Sequence, residues 1–293
     1  MKKRLTFRRF TWTQHIQHDT AQQKFNSVLT LIKSARWGYI MEKVNRLEQF
    51  WQDFVKVLPD TVKLEEATVA HFLQMPVTLF NHATDVNVAE NRAEAFLRRI
   101  VNHFSSIGLP FACFRVSPLT RPSFVSLLER YGFEKELEQS IMVFEGKPSE
   151  NRVNSNVTVN EVGEDEIDVF NRLIATSFEM PFEWKGALDK LLADFTRKGE
   201  RNYLAYADRK PVGTISLFSS RKTGCILNVS TLKEYRRRGI GTELTMHVLS
   251  DSFKEGNDLH TLQADKGGDA ERLYRKIGFK VDHIVCFFVK KLT

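Results

Sequence analysis

Three arginines run directly into two glycines at Arg236-Arg237-Arg238-Gly239-Ile240-Gly241-Thr242. The apolar run Cys225 to Thr231 precedes them, and a helix-like run, Glu243 to Leu249, follows. The order strand, basic glycine loop, helix leaves several backbone N–H groups without partners where the helix begins. The helix dipole adds partial positive charge there, and arginine side chains fork onto phosphate oxygens. The segment reads as an anion cradle, most naturally for a pyrophosphate. The plainer alternative is a solvated basic turn whose glycines serve only chain geometry.

Two other phosphate motifs do not fit. A Walker loop needs Gly-x-x-x-x-Gly-Lys-[Ser/Thr], and the chain contains none. The dinucleotide fingerprint needs a third small residue where Leu244 stands, and an acid after a second strand, which is also missing.

Arg236-x-x-Gly239-x-Gly241 resembles the [Gln/Arg]-x-x-Gly-x-[Gly/Ala] signature of the GNAT superfamily of N-acetyltransferases, and Asn228 to Tyr235 extends the likeness upstream. About 35 residues downstream, Leu273-Tyr274-Arg275-Lys276-Ile277-Gly278-Phe279 is similar to that family's Leu-Tyr-x-x-x-Gly-Phe close. The resemblance covers roughly residues 157 to 293. It implies acetyl-CoA as co-substrate, no metal, and an amine acceptor that is a small molecule or a peptide. Backbone N–H groups near Val229 and Thr231 would meet the pantetheine and the thioester oxygen. Arg236, Arg237, Arg238, Gly239, Ile240, Gly241 and Thr242 would hold the pyrophosphate.

Acyl transfer from a thioester to an amine requires a base for the amine, donors for the oxyanion, and an acid for the leaving thiolate. Tyr274 falls where the family carries that acid, and an unperturbed phenol, with a pKa of ~10, is protonated at neutral pH. The alternative is a tyrosine that only packs and hydrogen-bonds the sulfur. Glu179 and Glu183, after the first helix, border the expected acceptor pocket and are candidate bases, with solvated loop acids as the alternative. Asn228 and Ser230 offer water-binding groups in place of a carboxylate. Phe178, Phe182 and Trp184 read as an apolar rim or as core.

These groups need a scaffold. Val157 to Val162 alternates as a half-buried strand, and Glu164 to Phe178 has apolar residues at helical spacing. Tyr203 to Ala207, Asp208 to Pro211 and Val212 to Phe218 read as strand, turn and strand, and His260 to Ala264 and Ile284 to Val289 as further strands. The fold class expected is α/β (α+β), with mixed β-sheets flanked by helices.

Residues 42 to 146 echo that second half. Phe124 to Phe133 aligns with Ala270 to Phe279 at a constant offset of 146, matching Leu127, Gly132 and Phe133 to Leu273, Gly278 and Phe279. Val77 to His82 and Phe111 to Val116 read as strands, Glu90 to Phe104 as an amphipathic helix, and Ile141 to Phe144 as a closing strand. The first half thus resembles a degenerate GNAT-like unit in tandem with the second. Its segment Thr84 to Glu90 has no glycine and two acids, and Leu128 replaces the tyrosine, so it lacks the means to bind acetyl-CoA. The organisation expected is a basic extension at 1–41, this unit at 42–146, a polar linker at 147–156 and the acetyl-CoA-binding domain at 157–293.

The net charge of +7 sits in the first 40 residues, which hold eight Lys or Arg against the single acid Asp19. The other residues balance, with 35 basic and 35 acidic side chains, so the charge is poor ground for a nucleic-acid-binding body. The extension lacks the apolar core of a secretory signal. Its composition suits a peripheral arm, a covering helix, an organelle transit segment in a eukaryotic chain, or an extension upstream of a start at Met41. No apolar run approaches the ~20 residues of a membrane helix, and a cytoplasmic protein is expected. Cys113, Cys225 and Cys286 lie in apolar strands without metal spacing, as buried thiols in a reducing compartment would. His15-x-x-His18 has no further ligand nearby. Nothing in the chain speaks to oligomeric state.

Overall fold

The computed structural model describes residues 40–147 and 156–292. The chain divides into two compact units, Met1–Asn45 and Arg46–Thr293. Residues 40–45 of the first are helical. The basic extension, His15, His18 and most of the expected linker lie outside the described residues.

The described residues of Arg46–Thr293 are organised by eleven strands: β1 Asp60–Lys63, β2 Thr68–His71, β3 His82–Thr84, β4 Phe111–Val116, β5 Glu134–Phe144, β6 Val157–Glu161, β7 Arg201–Ala207, β8 Lys210–Ser220, β9 Thr223–Thr231, β10 Leu259–Asp265 and β11 Phe279–Lys291. The helices are residues 46–55 (α1), Glu90–Ser106 (α2), Pro122–Arg130 (α3), Ile167–Ser177 (α4), Lys185–Arg197 (α5), Ile240–Lys254 (α6) and Asp269–Ile277 (α7). All strands join one sheet in the order β1-β2-β3-β4-β11-β5-β10-β9-β8-β7-β6. Among the described residues only β3–β4 and β9–β10 pair in parallel.

The two halves of the sequence are interleaved. β5, the last strand of the first half, lies between β10 and β11. β11, the last strand of the second half, lies between β4 and β5. Each half therefore donates its closing strand into the other.

Alternation along the strands divides the core. Phe114, Met142, Ile226 and Phe288 face the side covered by α2, α3, α6 and α7. Cys113, Ile141, Cys225 and Phe287 face the other side, against Phe50 and Trp51 of α1. α4 and α5 pack beside the end of α1 through Phe170, Ile174, Leu191 and Phe195. The helix expected from Glu90 forms with Phe96, Leu97, Ile100 and Phe104 buried at intervals of three and four. The repeat at the two closing helices is real in three dimensions: both α3 and α7 stop at a left-handed glycine, Gly132 (φ 76°) and Gly278 (φ 117°).

One strand lies elsewhere than expected. Val77–Phe80 is a turn, and the strand begins only at His82. The buried Asn81 side chain dictates this. Its Oδ1 accepts from the Phe72 N–H at 2.7 Å, and its Nδ2 donates to the carbonyls of Met75 and Val77, both at 2.8 Å. Those bonds satisfy locally the backbone groups that a ladder would otherwise take. Cys113 and Cys225 are buried and Cys286 is half-buried, all as free thiols. Among the described residues no helix is long and apolar enough to cross a membrane, and no group of three or more His, Cys, Asp or Glu is placed to hold a metal.

Candidate functional site

The sheet splits at its middle. β9 and β10 pair only from Thr223↔Leu259 to Ile226↔Leu262. Beyond that, β9 continues on β8 and β10 continues on β5, so the two strands part. The edge of β9 that carries Val229 and Thr231 thereby loses its β10 partner. The β8–β9 register also slips between Thr214 and Ser216, and Asn228 takes φ 53°. Such a bulge re-aims side chains. It brings the consecutive residues Leu227, Asn228 and Val229 to one cavity. Ser230 is turned away and hydrogen-bonds Thr214 at 2.8 Å.

At the end of β9, the chain enters α6 through Arg237 (φ 65°) and Gly239 (φ 78°), both left-handed. Gly239 provides the N-cap with no side-chain hydrogen bond to the helix. The N–H groups of Ile240, Gly241 and Thr242 precede the first that an intrahelical carbonyl can reach, and successive left- and right-handed residues form an anion-binding concavity. A Cβ on Gly241 would come within 3.1 Å of Leu273, so the cradle has little room to spare. Arg236 is already engaged: its guanidinium donates to the carbonyl of Thr231 at 3.1 Å and to that of Ser177 at 3.4 Å. It ties the end of α4 to the loop. Arg238 stacks over Tyr235 at 5.1 Å. The predicted cradle residues are therefore together, with Arg236 in a bracing position.

The parted strands open into a cavity of about 660 Å³. Much of its wall is aromatic or aliphatic, including Trp51, Phe54, Phe80, Trp184, Leu188 and Phe195. Burying ~150 Å² of an aromatic ligand there would contribute about 4 kcal/mol, more than any single neutral hydrogen bond. Tyr274, on α7, reaches the cavity and is itself buried, packed edge-on against Phe279. Burial raises its phenol well above the ordinary tyrosine range, with Cys225 adding to the effect. Its helix is anchored by buried Glu271, which accepts from the Ser140 hydroxyl at 2.7 Å and from the Gly267 N–H at 2.8 Å.

The two expected carboxylates separate. Glu179 is exposed at φ 51° and lines the rim of the cavity. Glu183 is exposed on the short 3₁₀ turn Phe182–Trp184 and is not among the cavity's lining residues. It points to solvent because Trp184, one residue on, takes the inward position of that turn. Phe178 and Phe182 are likewise exposed, Phe182 at 88%, so only Trp184 of the expected apolar rim is substantially covered.

A third carboxylate, absent from the sequence reading, occupies the cavity wall. Glu200, between α5 and β7, is 3% exposed. Its Oε1 accepts from Asn228 Nδ2 at 3.2 Å, and its Oε2 is buried with no partner. Burial pushes its carboxyl up to about 8, with the Ser216 hydroxyl pulling the other way. That value places its ionisation near neutral pH, where a proton-transfer group is most effective. The only local signal is an acid three residues before the apolar run Tyr203 to Ala205, which periodicity alone does not distinguish from a loop acid.

The far end of the cavity belongs to the first half of the chain. His82, Thr84 and Arg115 line it, beside Phe287. Arg115 is held in a two-point ion pair with buried Glu48, at 2.6 and 3.1 Å. Burial alone would raise the Glu48 carboxyl, but the Arg115 charge and hydrogen bonds from His283 and Arg115 hold it at about 2. Burial, with the nearby Arg115, depresses His82 to about 4, so its imidazole is neutral at pH 7.

With this geometry in view, the similarities to known proteins are consistent. Residues 167–279 match the family described as Acetyltransferase (GNAT) family. The chain is 32% identical over 101 residues to "Probable N-acetyltransferase san" of Drosophila melanogaster, a match covering 32% of this chain and 54% of that protein. The chain thus spans about half the length of that curated relative. Among solved structures, a GCN5-related N-acetyltransferase from Kribbella flavida superposes with a TM-score of 0.68 at 16% identity, covering 85% of this chain and 96% of that one. A tandem GNAT protein from the clavulanic acid biosynthesis pathway superposes with a TM-score of 0.56 at 12% identity, covering 72% and 75%. At these identities the structures establish a shared fold.

Proposed function

We propose, from the GNAT-family domain at residues 167–279, that this protein is an acetyl-CoA-dependent N-acyltransferase with one coenzyme site per chain. The observation that carries this reading is the parting of β9 and β10. It sets a free strand edge between an anion cradle and a cavity holding a buried carboxyl and a buried phenol. The cradle fits a pyrophosphate: N–H groups converge at Ile240, Gly241 and Thr242, and Arg237 and Arg238 bring charge. Acetyl-CoA, as co-substrate, supplies the activated acyl group.

The residues divide the work. The edge of β9 near Val229 and Thr231 presents backbone donors to the thioester oxygen, where such groups stabilise developing negative charge. Glu200, as carboxylate, takes the proton the amine must lose, directly or through a water held by Asn228. Tyr274 gives its proton to the thiolate as the carbon–sulfur bond breaks and the carbon–nitrogen bond forms. One proton leaves the amine and one reaches the sulfur, so the site returns to its starting charge after Glu200 and Tyr274 re-equilibrate with solvent. Glu179 at the rim attracts a cationic acceptor, and Glu183 takes no part.

The first half shapes the acceptor end and binds no coenzyme. The start of α2 offers Ala89 and Glu90 where α6 offers Gly239 and Ile240, and the acid repels a phosphate. Calorimetric titration with coenzyme A should give one site, and thiol release from acetyl-CoA across an amine panel should reveal turnover. Two equivalent sites would refute the assignment of the coenzyme to the second half. One site with no turnover on any amine would favour a coenzyme-binding regulatory protein instead.

A further inference from the structure

Most of the unpaired polar atoms on the side chains lining the cavity are of one kind. Four of its lining residues keep a buried polar atom unpaired: the indole N–H of Trp51, a donor, and three atoms of the opposite kind, His82 Nε2, Gln263 Oε1 and Glu200 Oε2. Each of these three can be assigned as an electron-pair donor. His82 Nδ1 lies 3.0 Å from the Thr78 carbonyl, which can only accept, so Nδ1 carries the hydrogen and Nε2 the lone pair. Gln139 Nε2 donates to the Asp265 carboxylate at 3.0 Å, which fixes the Gln139 amide. Gln263 Nε2 must then donate to Gln139 Oε1, leaving Gln263 Oε1 as a bare acceptor. Glu200 becomes an acceptor once ionised. Arg115 is the only Lys or Arg among the cavity's described lining residues, and Glu48 already neutralises it.

An apolar cavity with several unpaired acceptors is complementary to a ligand with an apolar body and donors at more than one point, because a buried acceptor left unmet is costly. A carboxylate brings only lone pairs, which the Trp51 N–H alone would answer against three acceptors, one of them the ionisable Glu200. Resting on the acyltransfer reading above, we infer that the acceptor is an uncharged-bodied, aromatic or aliphatic amine that carries a second N–H or O–H donor and no carboxylate. Its amine meets Glu200 beside the parted strands, and its second donor meets His82 or Gln263.

The test uses the full chain with three probes: phenethylamine, tyramine, which adds a hydroxyl donor, and tyrosine, which adds a carboxylate. Equilibrium binding in the presence of coenzyme A and thiol release from acetyl-CoA are measured separately. Tyramine should bind at least about tenfold more tightly than phenethylamine, and tyrosine more weakly than either. His82→Phe, which keeps a ring against Phe287, and separately Gln263→Leu should each shrink the tyramine preference, and one of them should collapse it towards unity. Tighter binding of tyrosine, equal binding of tyramine and phenethylamine, binding of none of the three, or a preference that survives both variants would overturn the inference. Binding in the expected order without thiol release would instead defeat the acyltransfer reading and leave the ligand class standing. Thiol release that favours tyrosine would do the reverse.

Discussion

At the scale of single residues, the proposed reaction turns on two proton-carrying groups whose pKa values are both moved upward by burial. Tyr274 is thereby kept protonated at working pH, and Tyr274→Phe keeps the ring against Phe279 while removing the proton. General acid catalysis contributes ~100-fold or more, so kcat should fall by at least that factor with acetyl-CoA affinity nearly unchanged. Steady-state kinetics and coenzyme titration check the two halves of that statement. Glu200 is the complementary case. With a carboxyl at about 8, it is mostly protonated at pH 7, so kcat/KM should climb as pH rises through about 8. Glu200→Gln should abolish that limb and cost ~100-fold or more. The same residue predicts a stability signature. Its folded value lies above its ordinary 4.5, so its stabilising contribution is complete below pH 4.5 and is lost as pH rises through about 8. Glu200→Gln should therefore leave Tm near wild type at pH 4 and raise it relative to wild type at pH 8. A variant less stable at both pH values would mean the carboxyl is held ionised by a partner.

At the scale of elements, the cradle is a property of how β9 meets α6. Gly239 occupies a left-handed position, where a side chain costs about 1–2 kcal/mol. Gly239→Ala should lower thermal stability modestly and weaken coenzyme A binding. Gly239→Glu places a carboxylate among the helix N–H groups and should abolish binding in the same titration. Retained binding in Gly239→Glu would show that the coenzyme phosphates lie elsewhere. Much of this element level was legible in advance. The glycine loop, the helix from Glu90 and the strands Phe111 to Val116 and Tyr203 to Ala207 are all carried by local periodicity and turn chemistry. The displaced strand at His82 was not, because the Asn81 side chain outcompetes strand pairing through bonds that residue pattern does not reveal.

At the scale of the molecule, the exchange of closing strands makes the halves mutually dependent. Residues 157–293 alone would leave β10 without β5, and residues 46–147 alone would leave β4 without β11. Unpaired central edges expose apolar strand faces and backbone groups to aggregation. Either half expressed alone should therefore be insoluble or unfolded, and co-expression of the two should recover a complex that binds coenzyme A. A soluble, cooperatively unfolding second half on its own would show that the exchanged strand is dispensable. The same interleaving places His82, Arg115 and Gln139, all from the first half, on the wall of the cavity that Tyr274 enters.

The residue order by itself carried the two motifs on which the family likeness of the second half rests. Arg236 to Thr242 and Leu273 to Phe279 are short, contiguous patterns, and a phosphate nest or a helix end is built from neighbours in the chain. It also exposed the repeat, because Gly132 and Gly278 answer the same local demand for a left-handed helix stop. Only the tertiary structure decided which of Glu179, Glu183 and Glu200 is buried in the cavity wall. These carboxylates are alike as letters, and burial beside Asn228 alone distinguishes the last. Only the tertiary structure, too, interleaved β5 and β11, since strand partners more than a hundred residues apart are selected by the faces they bury together rather than by anything within either strand.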